Sequence, residues 1–208
     1  MRGIPSGAVI AIGGFGDSGT PFELIDALIA EGTSHLTVIS NNAGAGTDAL
    51  ARLLDAGRVR KIVCSYPRSA GSVVFERLYA AGEIELELVP QGTLSERLRA
   101  GAAGVPAFYT PTSAGTILAA GKEARRFDER NCVLETALVP DVALVKAEAA
   151  DRWGNLVYHS AARNFGPVMA AAGRLTIAQV KRFVELGEID PENVITPGIF
   201  VDRVVVAT

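Results

Sequence analysis

The sequence predicts a single α/β domain: a mostly parallel open sheet with helices on both faces. Two observations carry that prediction. Short apolar runs of strand length alternate with amphipathic stretches of helix length through the first half of the chain, the rhythm of a parallel sheet with crossover helices. The segments that follow three of the strands are polar, uncharged and rich in glycine, and open parallel sheets bind their ligands outside the carboxyl ends of the strands. With 208 residues and 49% apolar composition, the chain can bury one large core.

The elements follow in order. Ala8–Ile12 is an apolar run that reads as a buried strand, and Phe22–Ala30 is apolar at helical spacing. Leu36–Ser40 predicts the second strand, and a helix is expected around Thr47–Ala56, ended by Gly57. Lys61–Cys64 predicts a strand, Ser72–Ala81 a helix ended by Gly82, Ile84–Val89 a strand and Leu94–Ala100 a short helix before Gly101. Gly101–Gly121, rich in Gly, Ala, Pro and Thr, reads as a long ordered loop. Further strands are expected near Asn131–Glu135, Val142–Lys146, Leu156–Tyr158, Leu175–Val180 and Val201–Val206, with a helix near Pro167–Ala172.

Composition excludes several function classes. The net charge of -3 offers no basic face to nucleic acid. No apolar run reaches the roughly 18 residues of a membrane span, and no signal-peptide pattern opens the chain. Cys64 and Cys132 lie far apart in apolar runs and read as buried free thiols, which suits a reducing, cytoplasmic location. His35 and His159 have no ligand-type neighbours at useful spacing, so no metal is expected.

Gly14-Phe-Gly-Asp-Ser-Gly19 satisfies the G-x-G-x-x-G pattern of dinucleotide sites and raises a nicotinamide-dependent dehydrogenase as one alternative. That reading also requires an acid at the end of the next strand, to hold a ribose hydroxyl. Here the strand ends in Asn41-Asn42-Ala-Gly-Ala-Gly46, with no acid until Asp48. Three segments, Gly13–Gly19, Asn41–Gly46 and Pro90–Thr93, are instead expected to converge on one sheet edge. Their amides, Asn41, Asn42 and Gln91, suit a carboxylate or a thioester carbonyl. No Ser-His-Asp set, Cys-His pair or carboxylate cluster accompanies them, so a non-catalytic carboxylate-binding protein is a second alternative. Glu96, Arg97 and Arg99 read as a solvated helix face, and Trp153, Arg163 and Asn164 as structural or interface residues.

Gly13-Gly-Phe-Gly-Asp-Ser-Gly-Thr-Pro21 resembles the Gly-Gly-Phe-x-x-x-Gly-x-Pro signature of the A subunit of type I (3-oxoacid) coenzyme A transferases. The resemblance continues in order through Ser40-Asn-Asn-Ala-Gly44, Pro90-Gln-Gly-Thr-Leu-Ser-Glu-Arg-Leu-Arg99 and Gly104-Val-Pro-Ala-Phe-Tyr-Thr-Pro111. Asp151-Arg-Trp-Gly-Asn155, Ala162-Arg-Asn-Phe-Gly-Pro167 and Thr196-Pro-Gly-Ile-Phe-Val201 complete it. Members of that family usually carry a further short segment before the first strand.

The resemblance implies a ping-pong transfer of coenzyme A between two carboxylic acids, with no cofactor beyond the coenzyme A thioester as substrate. A glutamate of a partner B subunit is the implied nucleophile, in a heterodimer or heterotetramer. That glutamate belongs to a Ser-Glu-Asn-Gly motif; Pro191-Glu192-Asn193-Val194 lacks both the Ser and the Gly, and Glu192 reads as a turn acid. On this reading Gln91 donates to the acyl oxygen, and Asn41, Asn42, Gln91 and Gly92 form the substrate site. Gly13, Gly14, Phe15, Gly16 and Gly19 form the glycine-rich loop beside it. The branch acting on 3-oxoadipate from succinyl-CoA fits best, with acetoacetate or acetate as competing acceptors. Arg68 is a candidate for a second substrate carboxylate.

Overall fold

The computed structural model describes all residues except Arg2, Thr47, Ser69, Ala70 and Thr208. The chain runs β1 (Val9–Ile12), α1 (Phe22–Glu31), β2 (Leu36–Asn42), α2 (Ala49–Asp55), β3 (Val59–Tyr66), α3 (Val73–Ala80), β4 (Glu85–Leu88) and α4 (Gln91–Ala102). It continues through β5 (Ala107–Thr110), β6 (Ala124–Phe127), β7 (Arg130–Thr136), β8 (Val142–Asp151), β9 (Leu156–Val157), α5 (Gly166–Ala172), β10 (Leu175–Val184) and β11 (Arg203–Val206). Among the described residues the main sheet has the order β11-β10-β8-β1-β2-β3-β4, parallel throughout, with β9 antiparallel on β8. No helix among the described residues is long and apolar enough to cross a membrane.

The α/β prediction holds, and the strand periodicity explains why helices cover both faces. Successive strand residues point to opposite sides of a sheet. Ile10, Ile12, Val38, Ile62 and Cys64 pack with α1, α2 and α3 through Ile25, Leu28, Leu53 and Phe75. The intervening Ala11, Ile39 and Val63 pack with α4 and α5 through Leu94, Leu98 and Met169. Both faces are buried, so the strands read as continuous apolar runs. Both cysteines are free and buried, as expected. Burial pushes the Cys64 thiol up to about 12, so it is a packing residue and not a nucleophile.

Local chemistry sets the ends of the early helices. Gly32 closes α1 in a left-handed conformation (φ 80°), with its N–H bonded to Ile29 O. Asp48 caps α2 by accepting from Ala51 N. The chain departs from β1 to β2, β3 and β4 on one side and returns to β8 on the other. β1 therefore flanks the reversal of strand order, where a doubly wound sheet opens its ligand crevice.

Two expectations need correction. The Asn131–Glu135 strand does not join the main sheet. It lies in β7, the centre of a three-stranded antiparallel sheet of order β5-β7-β6, and the Gly101–Gly121 loop supplies β5. β6, Ala-Arg-Arg-Phe, is exposed along its whole length and has no apolar signature. Arg97 does not belong to a solvated face either. It is 7% exposed, and its Nη1 meets Glu87 Oε1 at 2.7 Å while its Nε donates to Thr136 O at 2.7 Å. Only Glu96 and Arg99 form the expected surface pair. Arg97 thus ties the small sheet to the main one beneath α4.

Candidate active site

All three segments expected at the ligand edge reach it. They leave the carboxyl ends of β1, β2 and β4, and with the end of β3 they enclose a cavity of about 480 Å³. Its wall is Phe15, Gly16, Asn41, Asn42, Ala45, Asp48, Ser65, Tyr66 and Gln91. A more open hollow of about 870 Å³ lies at the ends of β8 and β10, beside Arg163, Arg182, Glu188 and Asp190. It gathers none of the three segments.

The amides are held in different ways. Asn41, 3% exposed, accepts a hydrogen bond from Gln91 Nε2 through its Oδ1, at 2.7 Å. That contact spans the end of β3 and fixes the Gln91 carboxamide, leaving its second N–H proton for another acceptor. Asn42 Oδ1 accepts from Gly44 N at 2.9 Å in an Asx turn, and the residue lines the cavity. Gln91 is the first residue of α4, not a residue ahead of a later helix, so the helix starts three residues before the predicted Leu94. Its carboxamide thus stands at the positive end of the helix dipole. Gly92 follows it, exposed and outside the cavity wall.

The glycine-rich loop is built differently from a dinucleotide loop. Phe15 and Ser18 exchange backbone hydrogen bonds around a two-residue turn, and Gly13 N, Gly14 N and Thr20 N donate to Leu144 O, Asn164 Oδ1 and Asp17 O. Those amides are occupied inside the protein and do not face an anion. Asn164, read as structural, is the clamp: it also accepts from Phe165 N and donates to Ser18 O and Ala161 O. Gly19 sits at φ 76°, and a Cβ there would stand 2.3 Å from Ala162 O, so its role is close packing. Gly13, Gly14 and Gly19 lie behind the wall, whereas Phe15, 54% exposed, and Gly16 present the loop tip to the cavity. The dehydrogenase alternative loses its structural basis here.

Ala45 belongs to the expected Asn41–Gly46 segment, whereas Asp48, Ser65 and Tyr66 are wall residues outside the three segments. Among the described residues Asp48 is the sole carboxylate of the wall, and both its oxygens are engaged, by Ala51 N at 2.7 Å and Ala45 N at 2.8 Å. Ser65 and Tyr66 extend β3 beyond the predicted Cys64, and the extension past the apolar run was the signal available. Arg68 turns away toward Glu76 at 3.8 Å and is not part of the wall. Glu192 sits in an exposed turn capped by Asp190. Among the described residues no cluster of metal-ligating side chains occurs.

Comparison with known proteins places this architecture. The coenzyme A transferase family profile matches residues 1–207. The A subunit of the 3-oxoadipate CoA-transferase of Pseudomonas putida is 60% identical over 205 residues, which is 99% of this chain and 89% of that one. The A subunit of the succinyl-CoA:3-ketoacid coenzyme A transferase of Xanthomonas campestris pv. campestris (strain B100) is 56% identical over 202 residues, 97% of this chain and 83% of the other. Glutaconate coenzyme A-transferase from Acidaminococcus fermentans shares the fold, with a TM-score of 0.88 at 22% identity over 98% of this chain and 72% of that one. With the doubly wound sheet and its amide-lined edge, these matches have one consequence: this chain belongs to the coenzyme A transferase family of enzymes.

Proposed function

We propose that this chain is the A subunit of a transferase that moves coenzyme A from succinyl-CoA to 3-oxoadipate. The cavity wall carries the reading. It offers amide and hydroxyl donors, but its one carboxylate among the described residues, Asp48, is occupied as a helix cap. A site that binds an acyl group without a free nucleophile is half of a catalytic centre. The missing half is a glutamate of a B subunit, in a heterodimer or a dimer of heterodimers. That carboxylate attacks the thioester carbonyl of succinyl-CoA and expels coenzyme A thiolate, leaving a mixed anhydride. The thiolate attacks the glutamyl carbonyl of that anhydride, succinate leaves, and the glutamyl thioester passes coenzyme A to the acceptor acid by the same steps reversed. Coenzyme A enters as substrate, no resident cofactor is required, and the reaction suits the cytoplasm.

One observation favours a second acceptor. Among the described residues the wall contains no Lys or Arg, and Arg68 faces Glu76. A remote substrate carboxylate must then be met by amides and hydroxyls or by a cation of the B subunit. If the B subunit supplies none, a monocarboxylic acceptor such as acetoacetate fits better. The test is to assay this chain alone and with its B subunit, offering succinyl-CoA with either acid and comparing kcat/KM. The expected result is no turnover by the chain alone, and in the complex a preference for 3-oxoadipate. Substantial turnover without a partner overturns the half-site reading. Preference for acetoacetate moves the substrate assignment and leaves the transferase assignment in place.

Gly92 permits a sharper check of where the acyl group lies. It is the second residue of α4, and a Cβ there meets nothing within 4 Å. Gly92→Ala is therefore expected to leave the melting temperature of the complex equal or higher, since Ala favours a helix over Gly by roughly 0.5–1 kcal/mol. The same methyl is expected to lower kcat/KM several-fold by blocking close approach of substrate to the helix start. Unchanged kinetics would remove Gly92 from the site.

A further inference from the structure

We infer that Ser65 is a further substrate-contacting residue, its hydroxyl donating to the same acyl oxygen as the free N–H of Gln91. The inference rests on the transferase reading above and adds to it a second donor.

Three observations lead there. The β2–β3 register sets Ser40 beside Cys64 and Asn42 beside Tyr66, so Ser65 stands beside Asn41. By strand alternation Ser65 lies on the same face as Val63, and Asn41 on the same face as Ile39. That is the side covered by α4, whose first residue is Gln91. Asn41, Ser65 and Gln91 therefore meet at one corner of the cavity, on three separate elements. The Ser65 Oγ is buried and has no hydrogen-bond partner among the described residues.

An unpartnered buried hydroxyl is destabilising, and folded proteins pair nearly all such groups. Ser65 could return its proton to a nearby carbonyl, as serines commonly do, and does not. Asn41 Oδ1, its neighbour across the strand pair, accepts from Gln91 and receives no bond from Ser65. The proton is thus left for a group that enters the cavity. Two donors on one oxygen favour the state in which that oxygen carries the most charge. During thioester exchange that is the tetrahedral state, so the contribution of Ser65 should appear mainly in kcat.

The experiment uses the complex of this chain with its B subunit, succinyl-CoA and the preferred 3-oxoacid. Ser65→Ala is expected to lower kcat by roughly 10- to 100-fold with little change in KM, because an interaction confined to the transition state is lost. Its melting temperature should be unchanged or higher by roughly 2–4 °C, because the variant no longer buries an unpaired hydroxyl. A merely structural serine would move these two readouts in the same direction. Ser65→Cys, close in size and a poor donor, should show the same loss of kcat and covers the case in which the alanine variant folds badly. Combined with Gln91→Ala, either change should cost less than the product of the separate losses, since both act on one oxygen. A kcat within about threefold of wild type for both variants overturns the inference, as does a fully multiplicative double loss. If the wild-type complex transfers to no 3-oxoacid, the function proposed above fails. Ser65 is then judged by alkylation of the thiol introduced by Ser65→Cys: slowing by succinyl-CoA supports the contact, and an unaffected rate overturns it.

Discussion

Gln91→Ala in the assembled enzyme is expected to lower kcat by roughly 10²- to 10³-fold, the range for loss of one oxyanion donor. The expectation rests on how the residue is held. Its carboxamide is oriented by Asn41 Oδ1 at 2.7 Å, and Asn41 is itself buried at the end of β2. The donor therefore needs no reorganisation when charge develops on the substrate, which is the condition for transition-state stabilisation. Asn41→Ala should reproduce part of the loss by freeing Gln91, and the two changes together should cost less than their product. Steady-state kinetics decide the matter. A normal kcat with a raised KM in Gln91→Ala would make Gln91 a simple binding residue.

The largest expected effect on stability is at Arg97. A chain of charges runs from Lys61 to Glu87 (2.5 Å), from Glu87 to Arg97 (2.7 Å), from Arg97 to Glu135 (3.9 Å) and from Glu135 to Lys122 (2.5 Å). It links β3 and β4 of the main sheet to α4 and the small sheet. Removing the guanidinium leaves the buried Glu135, 2% exposed, with Lys122 alone, and takes from Glu87 and Thr136 O the donor each has in Arg97. Arg97→Met is expected to cost about 3–5 kcal/mol, read from denaturant or thermal unfolding. Pairing it with Glu135→Leu should recover much of that, because an apolar pair can replace a buried ion pair at little cost. A single variant within about 1 kcal/mol of wild type would show that the network contributes little.

The same network gives a pH dependence. Burial raises the Glu87 pKa, but hydrogen bonds and charge from Arg97 and Lys61 outweigh it and hold the carboxyl below its ordinary value. A depressed acid contributes stability above its unfolded pKa and loses it as pH falls through the folded value. The decline therefore belongs to the acid limb, below the ordinary glutamate range, and Arg97→Met should weaken it.

The sequence by itself determined the α/β class, the buried strands and the edge on which the site stands. Those features are local. Alternating apolar runs specify strands buried on both faces, and glycine-rich turns after strands specify where backbone can approach a ligand. It also placed Asn41, Asn42 and Gln91 at one edge of the sheet, since the carboxyl ends of parallel strands share that edge. The ordered motifs made the family legible as well. What only the tertiary structure decided depends on contacts between residues distant in the chain. Asn164 takes the Gly14 amide and the Ser18 carbonyl of a loop about 150 residues away, so that loop packs against protein and not against a phosphate. Arg97 looked like a surface charge until β7 and Glu87 closed over it. The exposed β6 carries no apolar signature and is a strand only because β7 pairs with it. Ser65 lies one residue past an apolar run, and its unpaired hydroxyl exists only because α4 and β2 cover it. A pattern along the chain reports burial; which partner buries a polar atom is set by the fold.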